Sequence, residues 1–130
     1  WLISSGAKTS DEVNKDSSSW GNYEGTSVKA DDGTTELKAS ETPAKLNTGK
    51  TTFTMTNNIY DLAGNCLEWT QEAYSTYDRA GRGGNYGYNG SYCPASSRSS
   101  GPDISGSGAV IRFSSHFNNK VKIGRLILTV

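Results

Sequence analysis

Hydrophobic positions in this chain are sparse and mostly isolated, so the few places where they fall into a pattern carry the reading. Residues 51–56 alternate Thr with Phe53 and Met55, the period-two signature of a strand that buries one face. Asn57-Asn58 turns the chain out of that strand. After a compact turn over residues 59–65, Cys66-Leu67-Glu68-Trp69-Thr70 resumes an extended segment, with Trp69 and Leu67 expected in the core. Two apolar clusters near the end, residues 109–111 and 121–130, predict strands that return to the core. No internal repeat is visible.

The first 57 residues lack such patterns. Trp1-Leu2-Ile3-Ser4-Ser5-Gly6 reads as the last turn of a helix stopped by Gly6, and hence as the start of an N-terminally truncated domain. From residue 8 to residue 50, anchors such as Val13, Trp20, Tyr23, Val28 and Leu37 stand among Ser, Thr, Asp, Lys and Gly with neither helical nor strand period. So long an irregular stretch packs only if aromatics tie it down, and Trp20 and Tyr23 are the residues for that task. Further on, Gly81, Gly83, Gly84, Gly87, Gly90 and Gly101 fall between Arg79 and Pro102. Side chains between them are expected to be displayed rather than packed.

Length and charge narrow the function. A chain of 130 residues is one domain. Thirteen basic residues balance thirteen acidic ones, and the pI is near 6.8, so no electrostatic argument favours nucleic acid or anionic lipid. No apolar run of about 18 residues suggests membrane insertion. Only 33% of residues are hydrophobic, yet 3 are Trp and 7 Tyr; aromatics must therefore carry much of the core, and a loop-rich domain of this kind binds through its loops. Cys66 and Cys93 could close one disulfide but fit no zinc pattern.

Residues 61–70 read DLAGNCLEWT, followed by Arg82-Gly83-Gly84 and then Cys93-Pro94-Ala95-Ser96-Ser97-Arg98. In that order these motifs resemble the formylglycine-generating-enzyme-like family, whose signature runs GNxWEWT, RGG, an Arg-bearing loop and a closing GFR strand. Residues 58–130 carry the likeness, with 1–57 standing as an irregular N-terminal part. Leu67 replaces one Trp of the family's WEW. The closing strand has two counterparts, Val110-Ile111-Arg112-Phe113 and Ile123-Gly124-Arg125-Leu126. The resemblance implies an α+β, C-type-lectin-like fold, loop-rich with short twisted antiparallel strands, and a display loop over residues 82–105. That fold hosts enzymes, phage receptor binders and hypervariable ligand-binding proteins.

The family's oxidase chemistry needs two cysteines five positions apart to hold copper. Here the second is Cys93 and the first position is Tyr88, so no copper and no formylglycine generation are expected. His116, the single histidine, gives no basis for a Ser-His-Asp triad, and Glu68 and Asp103 give none for a glycosidase pair. No catalytic residue is assigned. The resemblance does imply a structural Ca²⁺ at Asp61, Gly64, Cys66 and Glu68, through two side-chain and two backbone oxygens; the competing reading is a capped turn with a Glu68 to Arg82 ion pair.

Asn85, Tyr86, Tyr88, Asn89, Tyr92, Ser97, Ser99, Ser100 and Asp103 alternate with Gly, Pro and Ala. Tyrosine offers broad contact at low entropy cost and Ser and Asn adapt their hydrogen bonds, which is the composition of a paratope. The same stretch is the variable region in retroelement-diversified proteins of this fold, where mutagenesis at adenines yields mainly Asn, Ser, Tyr, Asp, Gly, His and Cys. The expectation is a non-catalytic binding domain of a phage or cell-surface protein. Its ligand would be a cell-surface protein or glycan, and its parent protein would set any oligomer.

Overall fold

The computed structural model describes residues 1–100 and, as backbone, residues 110–117 and 120–126. Its elements are short. One helix, α1 (Ser10–Asn14), precedes strands β1 (Val28–Lys29) and β2 (Glu36–Lys38), a 3-10 turn (Thr52–Thr54), and strands β3 (Met55–Thr56) and β4 (Ile59–Tyr60). There follow β5 (Glu68–Ala73), β6 (Arg79–Arg82), β7 (Arg98–Ser99), β8 (Val110–Phe117) and β9 (Lys120–Leu126). Two two-stranded ribbons, β1 with β2 and β3 with β4, stand beside a five-stranded sheet in the order β7-β6-β5-β8-β9. The described residues thus form a loop-rich, mostly antiparallel strand structure with little helix. One pairing departs from the expected antiparallel pattern: β5 and β8 run parallel, with Glu68 opposite Val110 and Trp69 opposite Ile111. A parallel pair needs a long crossover, and β6 and β7 lie between these two strands in the chain. Both counterparts of the closing strand form strands, one in β8 beside β5 and one in β9 outside it.

Local chemistry explains what the hydrophobic pattern missed in the first half. Thr9 caps α1 by accepting from the Glu12 N–H, while Glu12 reaches back to the Thr9 N–H at 2.8 Å, a reciprocal capping box. The β1-β2 ribbon turns at Asp32-Gly33, where the Asp32 carboxylate accepts from the N–H groups of Thr34 and Thr35, both at 2.8 Å. Trp1-Leu2-Ile3-Ser4-Ser5-Gly6 does form a helical turn, closed by Ser5 N–H to Trp1 C=O at 2.9 Å, with Gly6 at φ +73°.

Residues 51–56 are corrected most. Instead of one strand with Phe53 and Met55 buried, Thr51 caps a 3-10 turn and only Met55–Thr56 is extended; Thr51, Thr54 and Thr56 are the buried residues. Asp31 is the cause. Its carboxylate accepts from the Thr52 N–H at 2.6 Å and from the hydroxyls of Thr51 and Thr52, offering the backbone an alternative to a ladder. Asn57 and Asn58, at φ +50° and +61°, form the turn expected of them and join β3 to β4.

The core belongs to the half of the chain without periodicity. Val13, Trp20, Tyr23 and Ala63 form its buried centre, with Leu2, Leu62 and Ala95 packed on it. Trp20 and Tyr23 are the anchors expected from sequence. Leu67 is buried as expected, but Trp69 is only half-buried and is not part of this cluster. No disulfide joins Cys66 and Cys93.

Beneath the core lies a buried polar knot. Asn65 exchanges two hydrogen bonds with the backbone of Leu46, each at 2.9 Å, and its Oδ1 also accepts from Asn22 Nδ2 at 3.2 Å. The Asn22 amide donates in addition to the Ala44 carbonyl at 2.9 Å. Gly64, at φ +67°, lets the two segments touch: a Cβ there would collide with the Asn22 carbonyl oxygen. Gly64→Ala is therefore expected to destabilise the domain by at least about 4 kcal/mol. Gly25→Ala, at φ +77° with open space around it, should lose only about 1–2 kcal/mol of backbone strain. Urea unfolding of the two variants measures the difference; equal losses would show that the backbone crossing at Asn22 is not tight.

Candidate functional site

The segment expected to display side chains is itself firmly seated. Its backbone bonds to the N-terminal region at many points: Glu24 N–H to Tyr88 C=O at 3.0 Å, Ser17 N–H to Gly90 C=O at 3.1 Å, and Ser96 N–H to Val13 C=O at 3.1 Å. The buried Ser17 hydroxyl accepts from the Ala95 N–H at 2.8 Å, and the Ser18 hydroxyl accepts from the Gly90 N–H at 3.1 Å. Tyr23 is wholly buried and donates its hydroxyl to the Gly83 carbonyl at 2.9 Å. Burial holds that phenol far above its usual pKa, so it remains a donor at any physiological pH. The platform under the display segment thus includes Ser17, Ser18, Asn22 and Tyr23.

On this platform opens a cleft of about 420 Å³, lined by Leu67, Tyr74, Asn85, Tyr88, Tyr92, Cys93, Arg98, Ser99 and Ser100. Five of the residues assigned to binding from sequence, Asn85, Tyr88, Tyr92, Ser99 and Ser100, meet here. The Tyr88 and Tyr92 rings lie 5.6 Å apart, tilted by 41°, and both are exposed. Asn85 is buried, and its Oδ1 accepts from the Gly87 N–H at 2.8 Å, fixing the turn that presents Tyr88.

The remaining assignments fall elsewhere. Tyr86 donates its N–H to the Asn65 carbonyl at 3.2 Å and ties the segment to the buried knot. Asn89 is exposed, but its Oδ1 accepts from the Tyr92 N–H at 2.7 Å and the Ser91 hydroxyl at 2.9 Å, so it shapes the loop that carries Tyr92. Ser97 donates its N–H to the Pro94 carbonyl at 2.8 Å. Asp103, His116 and the side chains of β8 and β9 lie outside the described residues.

Tyr74, Cys93 and Arg98 were not expected in the site. Antiparallel register sets Arg82 of β6 directly opposite Arg98 of β7, an arrangement that repels unless an anion sits between the pair. Glu72 of β5 is that anion. Its Oε2 accepts from Arg82 Nη2 at 2.7 Å and its Oε1 from Arg98 Nε at 2.6 Å. Hydrogen bonds from the two guanidiniums hold the Glu72 carboxyl below its usual range, so it stays ionised. Arg82 gives its third contact to the Ser96 carbonyl at 2.7 Å. Arg98 bonds the Ala73 carbonyl at 2.9 Å and lies with its guanidinium carbon 4.3 Å over the Tyr74 ring. Arg82, offered in the competing reading as a partner for Glu68, is paired with Glu72.

Cys93 sits in the cleft wall, where burial pushes its thiol pKa up, so the thiolate is scarce near neutrality. Asp61, at φ +57°, and Gly64 and Cys66 are all buried in one turn, and Glu68 is half-buried at the start of β5. Among the described residues no group of three or more His, Cys, Asp or Glu is gathered as metal ligands. No described helix is long and apolar enough to cross a membrane. Comparison of the chain with family models, with characterised proteins and with solved structures finds no match.

Proposed function

We propose that this is a non-catalytic binding domain that holds its ligand in the tyrosine-lined cleft. The observation that carries the reading is a division of labour within one segment. Its backbone is bonded to the buried platform, while Tyr88 and Tyr92 stay exposed over a concavity of a size that small ligands fill. A rigid frame with exposed tyrosines loses little entropy on binding. The lining favours binding over oxidation: Tyr88 stands where a second copper-binding thiol would be needed, and Cys93 alone holds a proton.

The motif likeness to the formylglycine-generating-enzyme-like family supports assigning the loop-rich architecture to the C-type-lectin-like class. It also supports a parent protein of the phage receptor-binding or retroelement-diversified kind, on a virion or cell surface. Under this reading a Ca²⁺ would be held by the Asp61 and Glu68 carboxylates with backbone carbonyls of Gly64 and Cys66. These are hard oxygen donors, and a turn with a buried carboxylate suits such an ion. When bound, it would brace the turn next to the Asn65 knot.

Replacing Tyr88, Asn89 and Tyr92 together by Ala is expected to abolish capture of the ligand from host cell-surface extract, with loss of about 2 kcal/mol or more per contact tyrosine. The exposed rings contribute little to stability, so the thermal melt should stay close to that of the parent. Retained capture would remove the cleft from binding, and a collapsed melt would show that the tyrosines form a core.

Calcium has its own check. Adding EDTA should lower the melting temperature, and the Glu68→Gln variant should show no such response, since a ligand of the native state alone stabilises by about 2.7 kcal/mol at 100 times its Kd. Identical melts with EDTA and with calcium would leave the turn metal-free.

A further inference from the structure

The cleft has a charge that its residue types alone do not announce. Two guanidiniums, those of Arg82 and Arg98, share the Glu72 carboxylate. Arg82 spends Nε, Nη1 and Nη2 on Glu72 and Ser96. Arg98 differs: Nε and Nη2 are bonded, whereas Nη1 has no protein partner among the described residues. The guanidinium is nonetheless fixed, gripped by Glu72 and Ala73 on its edge and stacked on Tyr74 across its face. The described lining of the cleft contains Arg98 and no acid.

Resting on the binding reading above, we infer that the cleft takes a carboxylate-bearing sugar, whose anion meets the free edge of Arg98 while its ring lies against Tyr88 and Tyr92. A preorganised guanidinium with an open edge suits a carboxylate. The ring hydroxyls find Ser99, Ser100 and the Asn85 amide, whose nitrogen has no protein partner among the described residues. Size and shape favour a sugar over a folded protein surface. A cleft of about 420 Å³ falls within the range of small-ligand sites, whereas a stable protein interface buries about 800 Å² on each partner.

The experiment titrates the protein with the methyl glycosides of glucuronic acid and N-acetylneuraminic acid, with methyl glucoside, and with a glutamate-rich heptapeptide. Binding is read by NMR shifts and calorimetry. At least one acidic glycoside is expected to bind about tenfold or more tighter than the neutral glucoside, the order of a hydrogen bond to a charged group, and to shift Tyr88, Tyr92 and Ser99. Salt should weaken that preference. Arg98→Gln should make acidic and neutral sugars equal, and Arg98→Lys should restore part of the preference; each variant's melt reports that it is folded. Equal binding of glucoside, retained preference in Arg98→Gln, binding of the peptide instead, or no binding by either acidic glycoside would overturn the inference. The binding reading fails separately, if the Tyr88, Asn89 and Tyr92 variant still captures host ligand.

Discussion

The structure depends on the pairing of two buried asparagines from opposite ends of an otherwise irregular region. Asn22 and Asn65 are both wholly buried, and their amides bond each other and the backbone of Ala44 and Leu46. The Asn65 N–H also donates to the Asn22 carbonyl at 2.7 Å, and the Asn65 carbonyl accepts from Tyr86. Three loops thereby meet at two side chains. Each such bond is worth only about 1 kcal/mol net, but a buried amide left unsatisfied costs about 1–3 kcal/mol. The loops can move apart only by exposing several such groups at once. A chain with few aliphatic residues holds its loops by penalty as much as by attraction.

From that knot the order spreads to the cleft. Gly64 passes a hydrogen bond to Gly83 at 2.6 Å, and Gly83 takes the Tyr23 hydroxyl, so the segment leaving β6 is pinned between core and knot. The same segment then rises through Asn85 and Tyr88 and returns through Gly90 and Ala95 to the serines at 17 and 18. Tyr88 and Tyr92 face out while the backbone that carries them is bonded below. On the sheet side, Glu72 bridges two opposed arginines and holds the Arg98 guanidinium at the cleft. Rigidity and electrostatics reach the same cavity by separate routes.

The sequence made some of this legible and hid the rest for physical reasons. Tyr88 and Tyr92 could be assigned to a surface because glycines on either side deny them a core. Trp20 and Tyr23 could be assigned to the interior because they are the large aromatics of a region otherwise poor in apolar side chains. The Thr51 to Thr56 alternation misled, since Asp31, about twenty residues earlier, competes for those backbone groups and no local pattern records a distant carboxylate. Trp69 was placed in the core on the strength of its neighbours, yet the core formed around Trp20. Arg98 escaped notice because its role comes from cross-strand register with Arg82, which is a property of the pairing and not of either residue.

The central claim is that hydrogen bonds converging on the buried asparagine pair and the platform make the loops one cooperative unit with the sheet. Native-state hydrogen exchange reads this directly. The N–H groups of Leu46, Asn65, Tyr86 and Glu24 lie outside every helix and strand, so loop amides of an ordinary kind would exchange there by local opening. The expected result is protection at these four amides close to that of the slowest amides in β5 and β6. Fast exchange at the four while β5 and β6 stay protected would contradict it, leaving the cleft on a mobile surface rather than on a fixed frame.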